Sequence, residues 1–453
     1  MSRAFLAALL VLVYAALCVA VFVRHRRQQL RTAAAAAALL PSADAAPPFL
    51  VLHGSQTGEA EDIAWQTARA LHLAGLPVRV TSLGETTLAE LEAASHALFI
   101  TSTYGEGDAP DSAARFVNDV MARGSAALAQ LNVGVLALGD RTYTHFCGFG
   151  RELDAWLRES GSNALFERIE VDRGDAAALT LWRRNLSHLA GTAELPDWQI
   201  APFELWQLHE RRLLNAGSQG GPVFHLEFSP TAGAPLPDWE AGDLVQLQLE
   251  GDAAPREYTV ASLPADGRVH LMVRQSRRAD GSLGLASGLL TQTLALGDSV
   301  PLRIRAHKSF RIGTNSERPL ILIGNGTGLA GLRAHLKALE RRDGPAAWLI
   351  FGERQSACDA YYTDEIDAWQ RSGRLRRVDL AFSRDGSAPA YVQHALAAQR
   401  ETLLDAVENG AALYVCGSLQ GMAAGVDEVL REVLGDALVD EITAQGRYRR
   451  DVY

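Results

Sequence analysis

Two glycine-rich loops, each set between an apolar run and a helical run, constrain the fold of this chain most strongly. Residues 53–61 (HGSQTGEAE) follow the apolar run 49–52, and helical periodicity continues over 63–73. Residues 324–331 (GNGTGLAG) follow the apolar run 320–323 in the same way. A strand, a loop of small residues and a helix N-terminus form a cradle whose free amides bind phosphate. The first loop lacks the Gly-Lys-Ser/Thr of a Walker loop, and the second predicts a dinucleotide diphosphate site.

Composition limits the classes of protein that the chain can belong to. Its 453 residues predict about three domains, and the formal net charge of -10 argues against a nucleic-acid partner. The four cysteines show no CxxC spacing. We therefore expect neither a disulfide framework nor a metal site.

The N-terminal residues predict a membrane anchor. Residues 4–23 are apolar and uncharged, long enough to span a bilayer, and four arginines lie just behind them, at 24, 26, 27 and 31. The positive-inside bias then places the body in the cytoplasm, as in a single-pass membrane protein. The alternative is a cleaved signal peptide, whose apolar region is usually shorter and preceded by the positive charge. We assign 1–23 to the anchor and the Ala- and Pro-rich residues 24–48 to a linker.

The remaining chain divides into three predicted domains. Residues 49–190 predict a doubly wound parallel sheet, because the predicted strands 97–102 and 133–138 each end in a loop that carries a tyrosine. A proline-containing linker follows at 191–202. Residues 203–311 contain strand-length alternations broken by Gly and Pro, which predict a small β-barrel. Residues 318–453 predict a Rossmann-like domain, and the fold class is therefore α/β and multidomain.

A further motif lies between the two phosphate cradles in the sequence. In Arg256-Glu257-Tyr258-Thr259, strand alternation places Arg256 and Tyr258 on one face, where they could offer a cation and an aromatic ring to a planar cofactor. Residues 284–290 (GLASGLL) form a small-residue turn into an apolar helix start. Such a turn exposes free N–H groups to a phosphate.

Together these patterns resemble the NADPH-dependent diflavin reductases. The first loop resembles the FMN phosphate loop of flavodoxins, and residues 256–259 and 284–287 resemble the RxYS and GxxS/T motifs of ferredoxin-reductase-like FAD domains. The ending Gly446-Arg447-Tyr448-Arg449-Arg450-Asp451-Val452-Tyr453 resembles GRYxxDVW, with Tyr in place of Trp. The resemblance covers residues 49–453 and implies a compact form without the helical connecting insertion.

The resemblance implies sites for FMN, FAD and NADPH. The implied FMN site consists of Ser55, Gln56, Thr57, Gly58, Glu59, Ala60, Thr103, Tyr104, Gly105, Glu106, Leu138, Gly139, Asp140, Tyr143, Phe146, Cys147 and Asp172. The implied FAD site consists of Arg256, Glu257, Tyr258, Thr259, Gly284, Leu285, Ala286 and Ser287. The implied NADPH site consists of Thr327, Arg354, Ser383, Arg384, Tyr391 and Gln393. Thr259, Cys416, Asp451 and Tyr453 are the implied catalytic residues around the site of hydride transfer.

Three positions depart from the family pattern. Glu59 replaces a Thr or Asn at the phosphate end, and we expect its carboxylate to turn outward and cap the helix, away from the phosphate. Thr259 replaces the usual Ser and keeps the hydroxyl. Pro389 replaces a Lys that often contacts phosphate, which predicts weaker selection against NADH.

The function implied by the resemblance is electron transfer from NADPH through FAD and FMN to a one-electron acceptor protein. The acceptor is expected to be haem-containing or membrane-bound, as for a membrane-anchored haemoprotein reductase. Two alternatives remain: a flavoprotein component that feeds the haem subunit of a sulfite reductase, and a degenerate flavoprotein scaffold without turnover.

Overall fold

The structure is a computed structural model that describes residues 47–124, 127–191, 202–231, 234–249, 255–278, 280–342, 344–386 and 389–453. Three sheets organise these residues. Two are parallel and flanked by helices, and the antiparallel one lies between them in sequence.

The first sheet is flavodoxin-like and confirms the predicted parallel α/β fold. Its strands follow the order β2-β1-β3-β4-β5, and β6 also pairs with β4, always in parallel. The strands are β1 (Phe49–Gly54), β2 (Val78–Ser82), β3 (His96–Ser102), β4 (Asn132–Gly139), β5 (Asn163–Ala164) and β6 (Ile169–Asp172). The helices are Glu59–Leu73, Leu88–Ala93, Ala114–Asp119, Gly148–Glu159 and Ala176–Leu189.

Burial on both faces explains why these strands read as continuous apolar runs. Leu98 and Ile100 pack into the core on one face of the sheet, whereas Phe99 packs into the core on the other. A parallel sheet covered by helices on both sides has this property. All the carboxyl ends of the strands therefore meet at one edge, and the loops that follow them lie side by side.

The middle sheet has six antiparallel strands in the order β10-β9-β12-β7-β8-β11. The strands are β7 (Glu204–Leu213), β8 (Val223–Pro230), β9 (Leu244–Leu247), β10 (Arg256–Thr259), β11 (Val269–Arg274) and β12 (Ser299–Arg305), with the short helix Leu285–Gly288 between the last two. Trp206, Phe228 and Trp239 fill its core. The Trp239 indole N–H donates to the carbonyl of Ser262 at 2.8 Å, which satisfies its one polar group inside that core.

The third sheet has five parallel strands in the order β15-β14-β13-β16-β17, as the predicted Rossmann-like domain requires. The strands are β13 (Leu320–Asn325), β14 (Ala347–Glu353), β15 (Leu375–Phe382), β16 (Ala412–Gly417) and β17 (Tyr448–Val452). The helices are Leu329–Glu340, Ser356–Asp359, Thr363–Arg371, Val392–Ala397, Arg400–Glu408, Ala424–Leu434 and Asp436–Ala444. The C-terminal motif of the sequence is thus an edge strand of this sheet.

The second and third sheets share a hydrophobic core. Val223 and Met272 of the antiparallel sheet pack in one cluster with Leu322 and Tyr414 of the parallel sheet. Because the same apolar residues stabilise both sheets, the ends of β10, β13, β16 and β17 are held close together.

Most of the predicted N-terminal segment lies outside the described residues. This applies to the predicted anchor, 1–23, to nearly all of the linker 24–48, and to residues 192–201 of the second linker. In the described part of the chain, no helix combines the length and the apolar character that crossing a bilayer requires. The domain boundaries given above stay predictions.

Gly328 gives a stability prediction for the glycine-rich turn before Leu329–Glu340. A Cβ at this position would overlap the carbonyl of Cys416 and lie 2.7 Å from the Cα of Gly417. We expect Gly328→Ala to lower the free energy of unfolding by about 1–3 kcal/mol, because backbone atoms cannot move aside cheaply. Urea unfolding followed by tryptophan fluorescence measures this. The matched control is Gly344→Ala, whose Cβ would make an ordinary 3.6 Å contact with Ser316. Equal effects of the two substitutions would contradict the packing argument.

Candidate functional site

The four predicted catalytic residues lie together where the second and third sheets meet. The hydroxyl of Thr259, at the end of β10, donates to Oδ2 of Asp451 at 2.6 Å. Cys416 Sγ lies 3.6 Å from the same oxygen, because Cys416 and Asp451 are register partners of β16 and β17. All three side chains are buried. Burial and the Asp451 carboxylate raise the pKa of the Cys416 thiol well above its usual value, so the thiol stays protonated.

Gly331 allows this approach of the two sheets. A Cβ at this position would lie 3.0 Å from Cγ2 of Thr259 and 3.3 Å from Sγ of Cys416. Both distances are tighter than ordinary carbon contacts. The glycine-rich turn predicted as a phosphate cradle therefore also makes room for the cluster.

Tyr453 is attached to the same region through its backbone. Its N–H donates to the carbonyl of Gly417 and its carbonyl accepts from the N–H of Leu419, both at 3.0 Å. The phenol oxygen lies 3.1 Å from the Thr327 hydroxyl, and the side chain is 54% exposed. The backbone of the last residue is thus fixed while its ring stands at the surface.

A cavity of about 650 Å³ opens beside Tyr453 at the carboxyl ends of the third sheet. Its lining includes most of the predicted nucleotide residues: Thr327, Arg354, Ser383, Tyr391 and Gln393. Arg384 does not line it and is exposed beside Ser383, and its backbone N–H donates to the Arg354 carbonyl at 2.7 Å. A cavity of this volume at the carboxyl edge of a parallel sheet fits a dinucleotide.

The sequence analysis missed three polar residues of this cavity. Arg274, at the end of β11, forms an ion pair with Glu353, at the end of β14, and both line the cavity together with Asn325. Asn325 Oδ1 accepts the Ser418 N–H at 2.9 Å. Arg274 and Glu353 come from different sheets, so no local pattern of the sequence could have paired them.

The predicted FAD residues occupy β10, Gly284 and the first three positions of the helix Leu285–Gly288. Arg256 is exposed, Tyr258 is half-buried, and the Glu257 carboxylate forms an ion pair with Arg305. The Ser287 hydroxyl lies 2.7 Å from that of Ser276. A Cβ on Gly284 would lie 2.8 Å from the Ser287 oxygen, so this turn needs a residue without a side chain. The exposed guanidinium and the small-residue turn fit a diphosphate.

The predicted FMN loops meet at the carboxyl edge of the first sheet. The Ser55 hydroxyl accepts the N–H groups of Gly58 at 2.9 Å and of Ala60 at 3.2 Å, and Gly58 has φ 94°, which favours glycine. Glu106 accepts the Thr144 N–H at 3.0 Å, which joins the loops that carry the two predicted flavin tyrosines. These contacts give the loop 55–60 its shape.

The other predicted FMN residues complete this edge. Asp140 accepts the Thr142 N–H at 2.8 Å, Asp172 accepts the Arg141 N–H at 3.1 Å, and Cys147 is buried in the left-handed conformation with φ 54°. Burial raises the pKa of the Cys147 thiol to about 12.

Two orphaned polar atoms support a ligand at this edge. The Thr103 hydroxyl and the Tyr104 phenol oxygen are buried and have no hydrogen-bond partner among the described residues. A buried hydroxyl without a partner costs about 1–3 kcal/mol. Both belong to a loop predicted to hold the flavin, and the residues present therefore fit FMN.

Glu59 does not turn to solvent as predicted. It begins the helix Glu59–Leu73 without a side-chain capping bond and is partly buried. Burial raises the pKa of its carboxyl, and the guanidinium of Arg305 is the main charge that opposes this shift. Arg305 also donates to the Thr57 carbonyl at 3.3 Å, so the phosphate loop packs against the end of β12.

Two protein-family models match the chain, one over the first parallel sheet and one over the second. Residues 51–182 match the Flavodoxin family, and residues 322–428 match the Oxidoreductase NAD-binding domain family. The chain therefore combines a flavodoxin domain with an oxidoreductase NAD-binding domain, which confirms the predicted resemblance to NADPH-dependent diflavin reductases and the predicted cofactors FMN, FAD and NADPH.

More particularly, the chain is similar to sulfite reductase [NADPH] flavoprotein alpha-components. The protein from Bacillus subtilis is 25% identical over 91% of this chain and 91% of its own length. That from Neisseria meningitidis serogroup C is 27% identical over 91% of both chains. That from Vibrio cholerae serotype O1 is 25% identical over 90% of this chain and 88% of its own length.

These findings correct the predicted localisation. The prediction of a single-pass membrane protein with its body in the cytoplasm is contradicted by the relatives, which are named as sulfite reductase components. The predicted anchor itself, 1–23, lies outside the described residues. The membrane-anchored haemoprotein reductase, our main functional prediction, is likewise less well supported than its sulfite reductase alternative.

Within the described residues, one cluster has the composition of a metal site: His225, Glu227 and His270, with ligand atoms within 4.8 Å of one another. Arg333 donates to Nδ1 of His270 at 3.3 Å, so a neutral His270 ring carries its proton on Nε2, facing Glu227 at 3.5 Å. A metal on Nε2 would move that proton to Nδ1, which faces the Arg333 guanidinium, a group that cannot accept it. The cluster is therefore a hydrogen-bonded network between the second and third sheets.

This network predicts a loss of stability in acid. Burial, with help from the charges of His225 and Arg333, lowers the pKa of His270 from 6.5 to about 4. Between these two pH values the unfolded state binds more protons, so the free energy of unfolding falls as the pH falls from 6.5 towards 4. The contribution of His270 is at most about 3 kcal/mol.

His270→Gln should flatten this part of the stability profile. Urea unfolding measured between pH 7.5 and pH 4.5 tests it, with His188→Gln, at an exposed helix position, as the control. An unchanged acid slope in His270→Gln would exclude His270 as the source.

Proposed function

We propose that this protein is the flavoprotein component of a two-component reductase, and that it passes electrons from NADPH to a haem-containing acceptor protein of the sulfite reductase type. The cluster of Thr259, Cys416 and Asp451 carries the proposal, because it lies between the motif assigned to FAD and the nucleotide cavity. The names of the relatives support the type of acceptor.

The cofactors supply the chemistry: NADPH and FAD exchange a hydride, and FMN passes single electrons. The protein orients them. The Asp451 carboxylate accepts from both the Thr259 hydroxyl and the Cys416 thiol, so two neutral donors are held on one buried anion. Held in this way, neither donor can rotate freely, and both keep their protons. A nicotinamide bound next to the cluster would meet two fixed hydrogen-bond donors.

Tyr453 closes the nucleotide side of the site. Its ring is exposed and its hydroxyl contacts Thr327, whereas its backbone is fixed to Gly417 and Leu419. We infer that the ring can swing aside about the Cα–Cβ bond when the nicotinamide enters, without breaking β17.

The first test of the proposed function uses the purified full chain. We expect FMN and FAD in equal amounts, anaerobic reduction of both by NADPH, and reduction of ferricyanide. The haem-containing component of a sulfite reductase should then support NADPH-dependent sulfite reduction. Ferricyanide reduction without any transfer to that component would refute the acceptor, and absence of bound flavin would favour the scaffold alternative.

A second test concerns the choice of nucleotide. If Arg384 contacts the 2′-phosphate, Arg384→Ala should raise the KM for NADPH about tenfold and leave the KM for NADH nearly unchanged, because one charge-assisted contact is lost. Steady-state kinetics with both nucleotides measures this. Arg376→Ala, at an exposed position of β15, is the control. If only Arg354→Ala discriminates between the nucleotides, the cavity-lining arginine reads the phosphate instead.

A further inference from the structure

Successive residues of β17 reach into different parts of the molecule. Asp451 bonds to Thr259 in the second sheet, whereas the preceding residue, Arg450, forms an ion pair with Asp111 of the flavodoxin half. Side chains alternate between the faces of a strand, so one short strand can contact both halves. The proposed function assigns no role to Arg450 or to Asp111.

The ion pair is well ordered and largely removed from water. Arg450 directs both Nε and an Nη towards the Asp111 carboxylate, and each side chain is 19% exposed. The Gln56 amide holds Asp111 from the other side: its Nε2 donates to Oδ2 and its Oε1 accepts the Asp111 N–H, both at 2.9 Å. A forked pair of this kind fixes direction as well as distance.

Arg450 also covers the tyrosine that we assign to the FMN ring. Its guanidinium carbon lies 4.7 Å from the centroid of the Tyr104 ring and 5.4 Å from that of the Tyr448 ring. The Tyr104 ring therefore has the cation against it, and its buried phenol oxygen has no partner in the described residues. Stacking and charge pairing together hold the Tyr104 loop against β17.

Stability alone is a poor explanation for such a pair. Removing two charges from water costs several kcal/mol per ion, and buried ion pairs often add little net stability. What this pair supplies is a fixed position of the Tyr104 loop against β17, the strand that also carries Asp451. Electron transfer between flavins bound on either side would depend on that position.

We propose that Arg450 is a positioning residue that sets the rate of electron transfer between the two flavins, by holding the Tyr104 loop in place against β17. The inference rests on the proposed function. In the step it serves, one electron leaves FAD and one enters FMN, no bond forms or breaks, and NADPH supplies the two electrons of each turnover. Arg450 itself neither gains nor loses a proton or an electron.

The test separates reduction of FAD from reduction of FMN by stopped-flow absorbance after mixing the full, flavin-loaded chain with NADPH. Arg450→Gln should slow the FMN phase about tenfold or more, since the forked ion pair that fixes the direction of the Tyr104 loop is lost. Arg450→Lys should recover part of the rate, because it keeps the charge and loses the fork. Arg400→Gln, which breaks an exposed ion pair with Glu432, is the control and should match the parent chain.

A readout that does not depend on electron transfer comes from amide hydrogen exchange of residues 103–111 in the flavin-free chain. Exchange should be at least about tenfold faster in Arg450→Gln. Asp111→Asn should speed exchange and slow the FMN phase as Arg450→Gln does, and combining the two substitutions should add little, as an interaction between the two side chains requires.

Distinct outcomes would overturn the inference and the proposed function. An unchanged FMN phase in Arg450→Gln, equal slowing of both flavin phases, or fully additive effects of Arg450→Gln and Asp111→Asn would each overturn the role of Arg450. If NADPH reduces no flavin in the parent chain, the proposed function fails. Hydrogen exchange then still decides whether Arg450 holds the Tyr104 loop. Unchanged exchange in Arg450→Gln would show that it does not.

Discussion

One buried carboxylate determines how the rest of this structure is arranged. Asp451 accepts from Thr259 of the antiparallel sheet and from Cys416 of the parallel sheet, and all three side chains are shielded from water. An isolated buried carboxylate is expensive, so it requires these donors at these distances. The two sheets can meet only where the donors can be supplied. Accordingly, β17 is an edge strand whose Asp451 contacts Thr259 at the end of β10. Gly331 carries no side chain because a Cβ there would crowd Thr259 and Cys416.

Charged side chains around the cluster also make contacts between the second and third sheets. Arg274 forms an ion pair with Glu353 in the lining of the cavity. Arg333 donates to the carbonyl of Ala261, just after β10, at 2.6 Å and forms an ion pair with Glu365. The Arg274–Glu353 ion pair and the Arg333–Ala261 hydrogen bond each join the two halves, whereas Glu365 belongs to the same half as Arg333. Because a separated partner would be left buried and uncompensated, the sheets are held in one relative orientation. The nucleotide cavity is a consequence of that orientation.

Much of the site was predictable because phosphate cradles are local. The residues that shape a loop between a strand and a helix are neighbours in sequence, so Ser55, Gly58 and Thr327 could be identified from their order alone. In the structure both loops lie at the carboxyl edges of parallel sheets, and their role as phosphate sites stays a prediction. Glu59 was misjudged because its surroundings are not local. The burial that raises its pKa and the opposing charge of Arg305 come from residues that fold against the loop from far along the chain.

The sequence by itself determined the element types and the two small-residue loops, because hydrophobic periodicity and small-residue turns act over a few positions. The resemblance of its motifs named the residues that cluster around Asp451, and their catalytic role stays a prediction. Only the tertiary structure decided which distant groups meet. It paired Arg274 with Glu353 and Arg450 with Asp111, and it made the C-terminal motif an edge strand in register with Cys416. Such contacts join residues that are separated by tens to hundreds of positions. Their formation depends on packing two sheets around a shared core and on leaving no buried charge unpaired, and neither condition has a local signature in the chain.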